Sequence, residues 1–505
     1  MNKVLFGALR EKLEAHTHLQ STLAILQWDQ EIHVPEKGGA ARAKLLSYLS
    51  VLAHDQLLAL DAKKELSTLL REAKKNPEQP ESIVVLDTWR HYAREKKLPS
   101  AFVQELAELG SQGHTTWTKA RAQSDFSLFL PTLKRLIALK QKEAEYVGYK
   151  DSPYDALLDV YEPGLTTAQI SPVFAELRDF LTRFLRTLKK SPTTFPNERV
   201  LHGSFPIAEQ QAFNQWLAEK MGFDFAAGRL DQSTHPFTTS FHPHDVRITT
   251  RYREHDLLYS VGSTIHEAGH GLYEQGLPVE HFGTPLSESI SLGIHESQSR
   301  LWENTIGKSR AFWSYVYPKL QKRFPKPFAN VPLEDVYHLI NRVEPSLIRT
   351  EADEVTYNLH IILRFEIERG LIEGTMKAKD LPEIWKAKMK EYLGVKVPND
   401  REGVLQDVHW SDGSFGYFPT YALGNLYAAQ FAHTAKQKIP AFEAQLKKGN
   451  FAPLREWLRK NIHAHGKTYS SAALVKEVTG EPLHAQYFIR YLEEKYGEIY
   501  NLPRT

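Results

Sequence analysis

A mainly α-helical fold, in a single large domain spanning residues 1–505, is what this sequence predicts. Three observations predict it. Apolar residues recur at spacings of three and four over most of the chain, strand-like alternation is confined to two short stretches, and no loop is long enough to act as a domain linker. With 42% hydrophobic and 25% charged residues, the chain has the composition of a globular protein with a sizeable core.

The elements follow in chain order. Leu19, Leu23, Leu26 and Trp28 mark a helix that must stop near Pro35, Gly38 and Gly39, because proline removes a backbone donor and glycine favours a break. Ala40 to Leu60 reads as the next helix, and residues 131–147, 165–190 and 206–221 alternate apolar and charged faces at helical period. Phe237–Phe241 and Asp245–Tyr252 alternate at period two on either side of His242, Pro243 and His244, which predicts a small hairpin. Leu333 to Tyr500 is again mostly helical. Lys74–Pro80 and Lys189–Pro196 read as exposed loops, and there is no internal repeat.

Charge narrows the function. The 63 basic against 61 acidic side chains leave a net +2, which argues against a nucleic-acid or membrane-surface partner. The absence of cysteine removes disulfides, thiolate ligands and a cysteine nucleophile. No apolar run approaches the roughly 18–20 residues needed to span a bilayer. The opening residues reach Arg10, Glu11 and Lys12 without the apolar run of a secretion signal, so the expected compartment is the cytoplasm.

Residues 266–270 read HEAGH, an H-E-x-x-H motif. Leu258, Val261, Ile265, Ala268 and Leu272 place it on a helix with one buried stripe. His266 and His270, four residues apart, then share a face and can aim two imidazoles at one ion. Gly262 and Gly269 lie beside them and would let a substrate or another backbone come close. Zinc suits such a pair, with a third protein ligand and one water completing a catalytic site. Glu267 is placed to take a proton from that water and pass it to a leaving amine. The third ligand lies open among Glu288, His295 and Glu296, on a second helical stretch marked by Ile290, Ile294 and Leu301.

The chain resembles the carboxypeptidase Taq family of metallocarboxypeptidases along nearly its whole length. The residues that carry the resemblance run in order from Leu26-Gln-Trp-Asp-Gln30 through Tyr161-Glu-Pro-Gly164, His235-Pro-Phe237 and Asp245-Val-Arg-Ile-Thr249. They continue through His266–His270, His295-Glu-Ser-Gln298, Ile348-Arg-Thr-Glu-Ala-Asp353 and Gly403-Val-Leu-Gln-Asp-Val-His-Trp410. The resemblance implies a helical, zincin-like fold with a deep active-site groove, Glu296 as third ligand rather than Glu288, and zinc as the ion, with cobalt able to substitute. It also implies a homodimer that releases single C-terminal residues from peptides, broadly but poorly at proline.

Such an enzyme must distinguish a free terminal carboxylate, and a guanidinium paired two-pronged with it is the natural device. Arg247 and Arg349 are the candidates. Each could instead form a structural ion pair, Arg247 with Asp245 or Arg349 with Asp353. Arg300 is expected to be structural. Donors for the developing oxyanion are expected from residues 409–421, where His409 and Tyr421 are spaced like a His…Tyr pair in related helical zinc peptidases, with Tyr417 in reserve. His235 is expected near the groove, and His242 and His244 as an exposed pair. An oligopeptidase using the same metal site, or a scaffold keeping a vestigial one, are the rival readings. The arginine pair speaks against the first and the intact Glu267 against the second.

Overall fold

The metal-motif helix, Leu257–Glu274, lies against a small sheet on one side and a second helix on the other, and these neighbours set the site. The computed structural model describes residues 1–503, the side chain of Val200 excepted. Among the described residues there are twenty α-helices and one three-stranded sheet. The expected helices are present as Lys3–Ile32, Gly39–Ala59, Leu130–Val147, Thr167–Lys189 and Ile207–Met221. The first begins well before the Leu19 that marks it in the sequence and ends ahead of Pro35. The last third is helical from Leu333, but an irregular stretch separates Leu381–Leu393 from Pro419–Lys438.

The expected hairpin is two strands of that sheet. β1 (Gly228–Gln232), β2 (Thr238–His242) and β3 (Asp245–Thr250) lie in the order β1-β3-β2. β2 runs antiparallel to β3 with an irregularity between Ser240 and His242, while β1 runs parallel to β3. β1 carries no strand pattern in sequence: it reads GRLDQ, and every residue keeps some exposure. Pairing with β3, not local propensity, makes it a strand. Val246 and Ile248 of β3 are fully buried in the main core.

The motif helix is capped by the Asp256 side chain, which accepts from Tyr259 N. Its buried stripe runs through Leu257, Val261, Ile265, Ala268 and Leu272. Leu258, expected in that stripe, instead lines the cavity beside the motif. The second helix, Leu292–Arg300, starts at the cap Ser291 and passes into a π-helical turn over Leu301–Ile306. A third, Pro419–Lys438, packs along it.

Two glycines make these contacts close. A Cβ on Gly269 would lie 2.7 Å from Ser299 Cα, and one on Gly424 would lie 2.4 Å from Glu296 Cγ. Gly262, by contrast, faces open space at the cavity wall. Alanine at position 269 would gain about 1 kcal/mol of helix propensity but would drive into backbone that cannot rotate away. Overpacking of that kind costs about 1–3 kcal/mol, so Gly269→Ala is expected to lower stability in urea unfolding and to loosen the ligand helix. An unchanged midpoint would show that the two helices can part freely.

Most buried apolar residues form one core reaching from Phe102 to Tyr500. The N-terminal helices gather a smaller core around Leu9, Leu66, Leu69 and Val85, which Leu286 joins. No helix among the described residues is long and apolar enough to cross a membrane.

Candidate metal centre

His266, His270 and Glu296 converge, with one donor atom of each within 4.8 Å of the others. His266 Nε2 lies 3.6 Å and His270 Nε2 3.3 Å from Glu296 Oε2. Tetrahedral donors at zinc-like bond lengths sit about 3.3 Å apart, so the set fits a divalent ion of that size with little movement. Two neutral imidazoles and a carboxylate are also the donor chemistry that such ions take at open sites. The other two sequence candidates are engaged elsewhere: Glu288 pairs with Lys467 at 2.5 Å, and His295 lies behind His270.

A surrounding shell holds the three donors. His266 Nδ1 meets Glu303 Oε2 at 2.7 Å. His270 Nδ1 meets His295 Nδ1, whose Nε2 reaches Glu274 Oε1 at 2.8 Å. Arg300 Nε donates to Glu296 Oε1 at 2.6 Å and Nη1 to Glu303 Oε2 at 3.1 Å, with its guanidinium 4.4 Å from the Tyr357 ring. Arg300 thus ties the Glu296 and Glu303 carboxylates together. Glu303 could have been found in the sequence, seven residues from Glu296 and on the same helical face. Glu274, four residues after His270 on the same helix, could have been found in the same way, whereas Thr238 leaves no such signal.

Charge divides the two imidazoles. Burial pulls His266 down, but the Glu296, Glu303 and Glu267 carboxylates outweigh it and lift its pKa to about 9. Burial and the adjacent His295 and His266 push His270 down to about 3. At neutral pH His266 therefore carries a second ring proton, on Nε2, which a metal must displace. Divalent-metal affinity is expected to rise about tenfold per pH unit from neutral up to about 9, then level off. Chelator-competition titrations across that range check it, and a flat profile would contradict it.

Glu267 sits at 6% exposure, and Thr238 of β2 donates to its Oε2 at 2.6 Å. Burial raises its pKa above the usual carboxylate value. It lines a cavity of 560 Å³ with His266, Glu296, Arg300, Arg349, Tyr357 and Tyr421.

Arg349 is buried, and its ion-pair partner is Asp407 rather than Asp353: Nε donates to Asp407 Oδ1 at 2.9 Å and Nη1 to Tyr357 OH at 3.0 Å. Arg364 takes the other oxygen of Asp407, at 2.7 Å from Nε. Asp353 instead caps Val355 N and Thr356 N. Arg247 pairs with Asp245 at 3.1 Å and lies 4.2 Å over the Trp28 ring and 4.8 Å over Phe241, outside the lining of the metal cavity.

His409 Nε2 lies 3.3 Å from Tyr421 OH, and burial pushes His409 down to about 4, so it is neutral at pH 7. Tyr417 packs between His409 and Tyr161, with ring centres 5.2 and 5.1 Å away, and does not line the cavity. His235 is exposed, next to Pro236 on the cavity wall. His242 and His244 stand apart from the centre, His244 N donating to His242 Nδ1.

A helical fold around two histidines one turn apart and a carboxylate from a neighbouring helix defines a metal-site protein of the hydrolase kind. The comparisons give the particular family. The carboxypeptidase Taq (M32) metallopeptidase family matches residues 8–496, and the chain belongs to it. It is 42% identical to thermostable carboxypeptidase 1 of Thermus thermophilus over 497 residues, covering 96% of each chain. It is 39% identical to carboxypeptidase 1 of Bacillus subtilis over 490 residues, covering 97% of each. The crystal structure of the M32 carboxypeptidase from Deinococcus radiodurans superposes with a TM-score of 0.95 at 37% identity, covering 99% of this chain and 100% of that one. The chain is accordingly a metal-dependent carboxypeptidase, and the expected fold is the one found.

Proposed function

We propose that the chain holds zinc, replaceable by cobalt, on His266, His270 and Glu296, and releases single C-terminal residues from peptides with broad specificity, poorly at proline. When bound, the ion supplies an acidified water and polarises the scissile carbonyl. Glu267 accepts the proton of the attacking water and returns it to the leaving amine. Its raised pKa and its place beside His266 support that role. Tyr421, on the cavity wall and linked to neutral His409, donates toward the developing oxyanion. Tyr417 packs behind this pair and His235 lies beside Pro236 of the cavity wall, while Arg247, paired with Asp245 outside that wall, leaves the terminal carboxylate to Arg349.

The observation that carries the specificity is the charge on Arg349. Arg349 and Arg364 share the single carboxylate of Asp407, so Arg349, on the cavity wall, has only half of that carboxylate as its ion-pair partner. A terminal carboxylate could pair with that guanidinium, and a peptide bond could not. Peptides with a free C-terminus should therefore be trimmed, while their C-terminal amides resist. Equal hydrolysis of both would favour an oligopeptidase. The resemblance to the family further supports a homodimer, which light scattering of the purified protein would check.

A further inference from the structure

We propose that Glu274, outside the H-E-x-x-H motif, is a positioning residue that sets the tautomer of His270 through His295; this rests on the metal-site reading above. His270 faces Glu296 with Nε2, so Nε2 must present its lone pair to a metal, and Nδ1 must carry the ring proton. That proton points at His295 Nδ1, which must then be an acceptor. With Nδ1 accepting, His295 holds its own proton on Nε2. Glu274 Oε1, 2.8 Å from that nitrogen, can only accept, and it fixes the proton there. The chain of hydrogen bonds thus has one consistent direction, from His270 through His295 to Glu274.

Without the carboxylate, the order can reverse. His295 could then carry its proton on Nδ1, donate to His270 Nδ1 and force the His270 proton onto Nε2, where it would block the metal. His266 needs no such chain, because Glu303 accepts from it directly. Glu274 and His295 are both shielded, with side chains 15% and 17% exposed, so water competes weakly for these bonds. Glu274 closes the same helix that carries His266 and His270, which fixes its distance from them.

The test is competition with a chelator for zinc and for cobalt, using the metal-stripped full-length protein at one pH. Glu274→Leu is expected to weaken both metals by about 10–100-fold, the range for an orienting partner of a ligand histidine. Glu274→Gln should fall between wild type and Glu274→Leu, because an amide can either accept from His295 or donate to it. The thermal midpoint of the metal-free protein should stay that of wild type, whereas a merely structural role would lower it. At saturating metal, kcat should return toward the wild-type value. Should Glu274→Leu fail to fold, the isosteric Glu274→Gln carries the test alone. Wild-type affinities in the folded variants, or a loss of kcat with affinity intact, would overturn the proposal. Failure of the unaltered protein to bind either metal would instead remove the metal-site reading on which it stands.

Discussion

Glu267→Gln is expected to leave a folded, metal-loaded protein whose kcat is lower by about 10²–10⁴-fold, the usual share of a positioned general base. Glutamine keeps the shape of the side chain and can still accept from Thr238, whose hydroxyl donates to Glu267 Oε2 at 2.6 Å. What it loses is the ability to take a proton. The three proposed metal ligands are untouched, so metal content should match wild type, and KM should change far less than kcat. Metal analysis and steady-state kinetics on the same preparation separate the outcomes. Loss of metal together with activity would mean that Glu267 shapes the site. Full activity would remove it from the chemistry.

The largest effect on stability is expected at Asp407. Its carboxylate lies between two buried guanidiniums, at 2.9 Å from Arg349 and 2.6 Å from Arg364, and Arg364 is wholly shielded from solvent. Burial alone would raise its pKa, but the two cations outweigh burial and hold it well below the ordinary carboxylate range. Asp407→Asn removes the charge and leaves both guanidiniums buried without it. Breaking a buried pair from one side costs about 3–5 kcal/mol, so the urea midpoint should fall clearly. The pH dependence has a definite sign. A depressed folded pKa stabilises above the unfolded value, so this contribution is full at neutral pH and fades as pH falls through the acid range. The variant should therefore lose less stability than wild type between pH 5 and the acid limit, by about the same few kcal/mol. KM for free-acid peptides should also rise, since Arg349 loses the partner that holds it. A midpoint within error of wild type would show that the arginines are held by Tyr357, Gln406 and the His360 carbonyl alone.

Much of the site is legible in the sequence because its signals are local. His266 and His270 are four residues apart on a helix whose apolar stripe can be counted, so their shared face follows from helical period alone. Gly269 marks a close approach before its neighbour is known. The first helix can be placed by its leucines and its terminating proline, although not its true start. β1 cannot be read at all, because its five residues become a strand only by pairing with Val246 to Thr250.

The sequence by itself determined the helical class, the pair of histidines sharing a face with a glutamate beside the first and, through the ordered motifs, the family. Tertiary structure alone decided the partners. Asp407 rather than Asp353 holds Arg349, Glu288 turns to Lys467, Glu303 meets His266, and Glu274 meets His295. The reason is physical. A helix repeats every 3.6 residues and writes its faces into the chain, whereas a contact between side chains dozens of residues apart depends on how the helices pack, which no local spacing encodes.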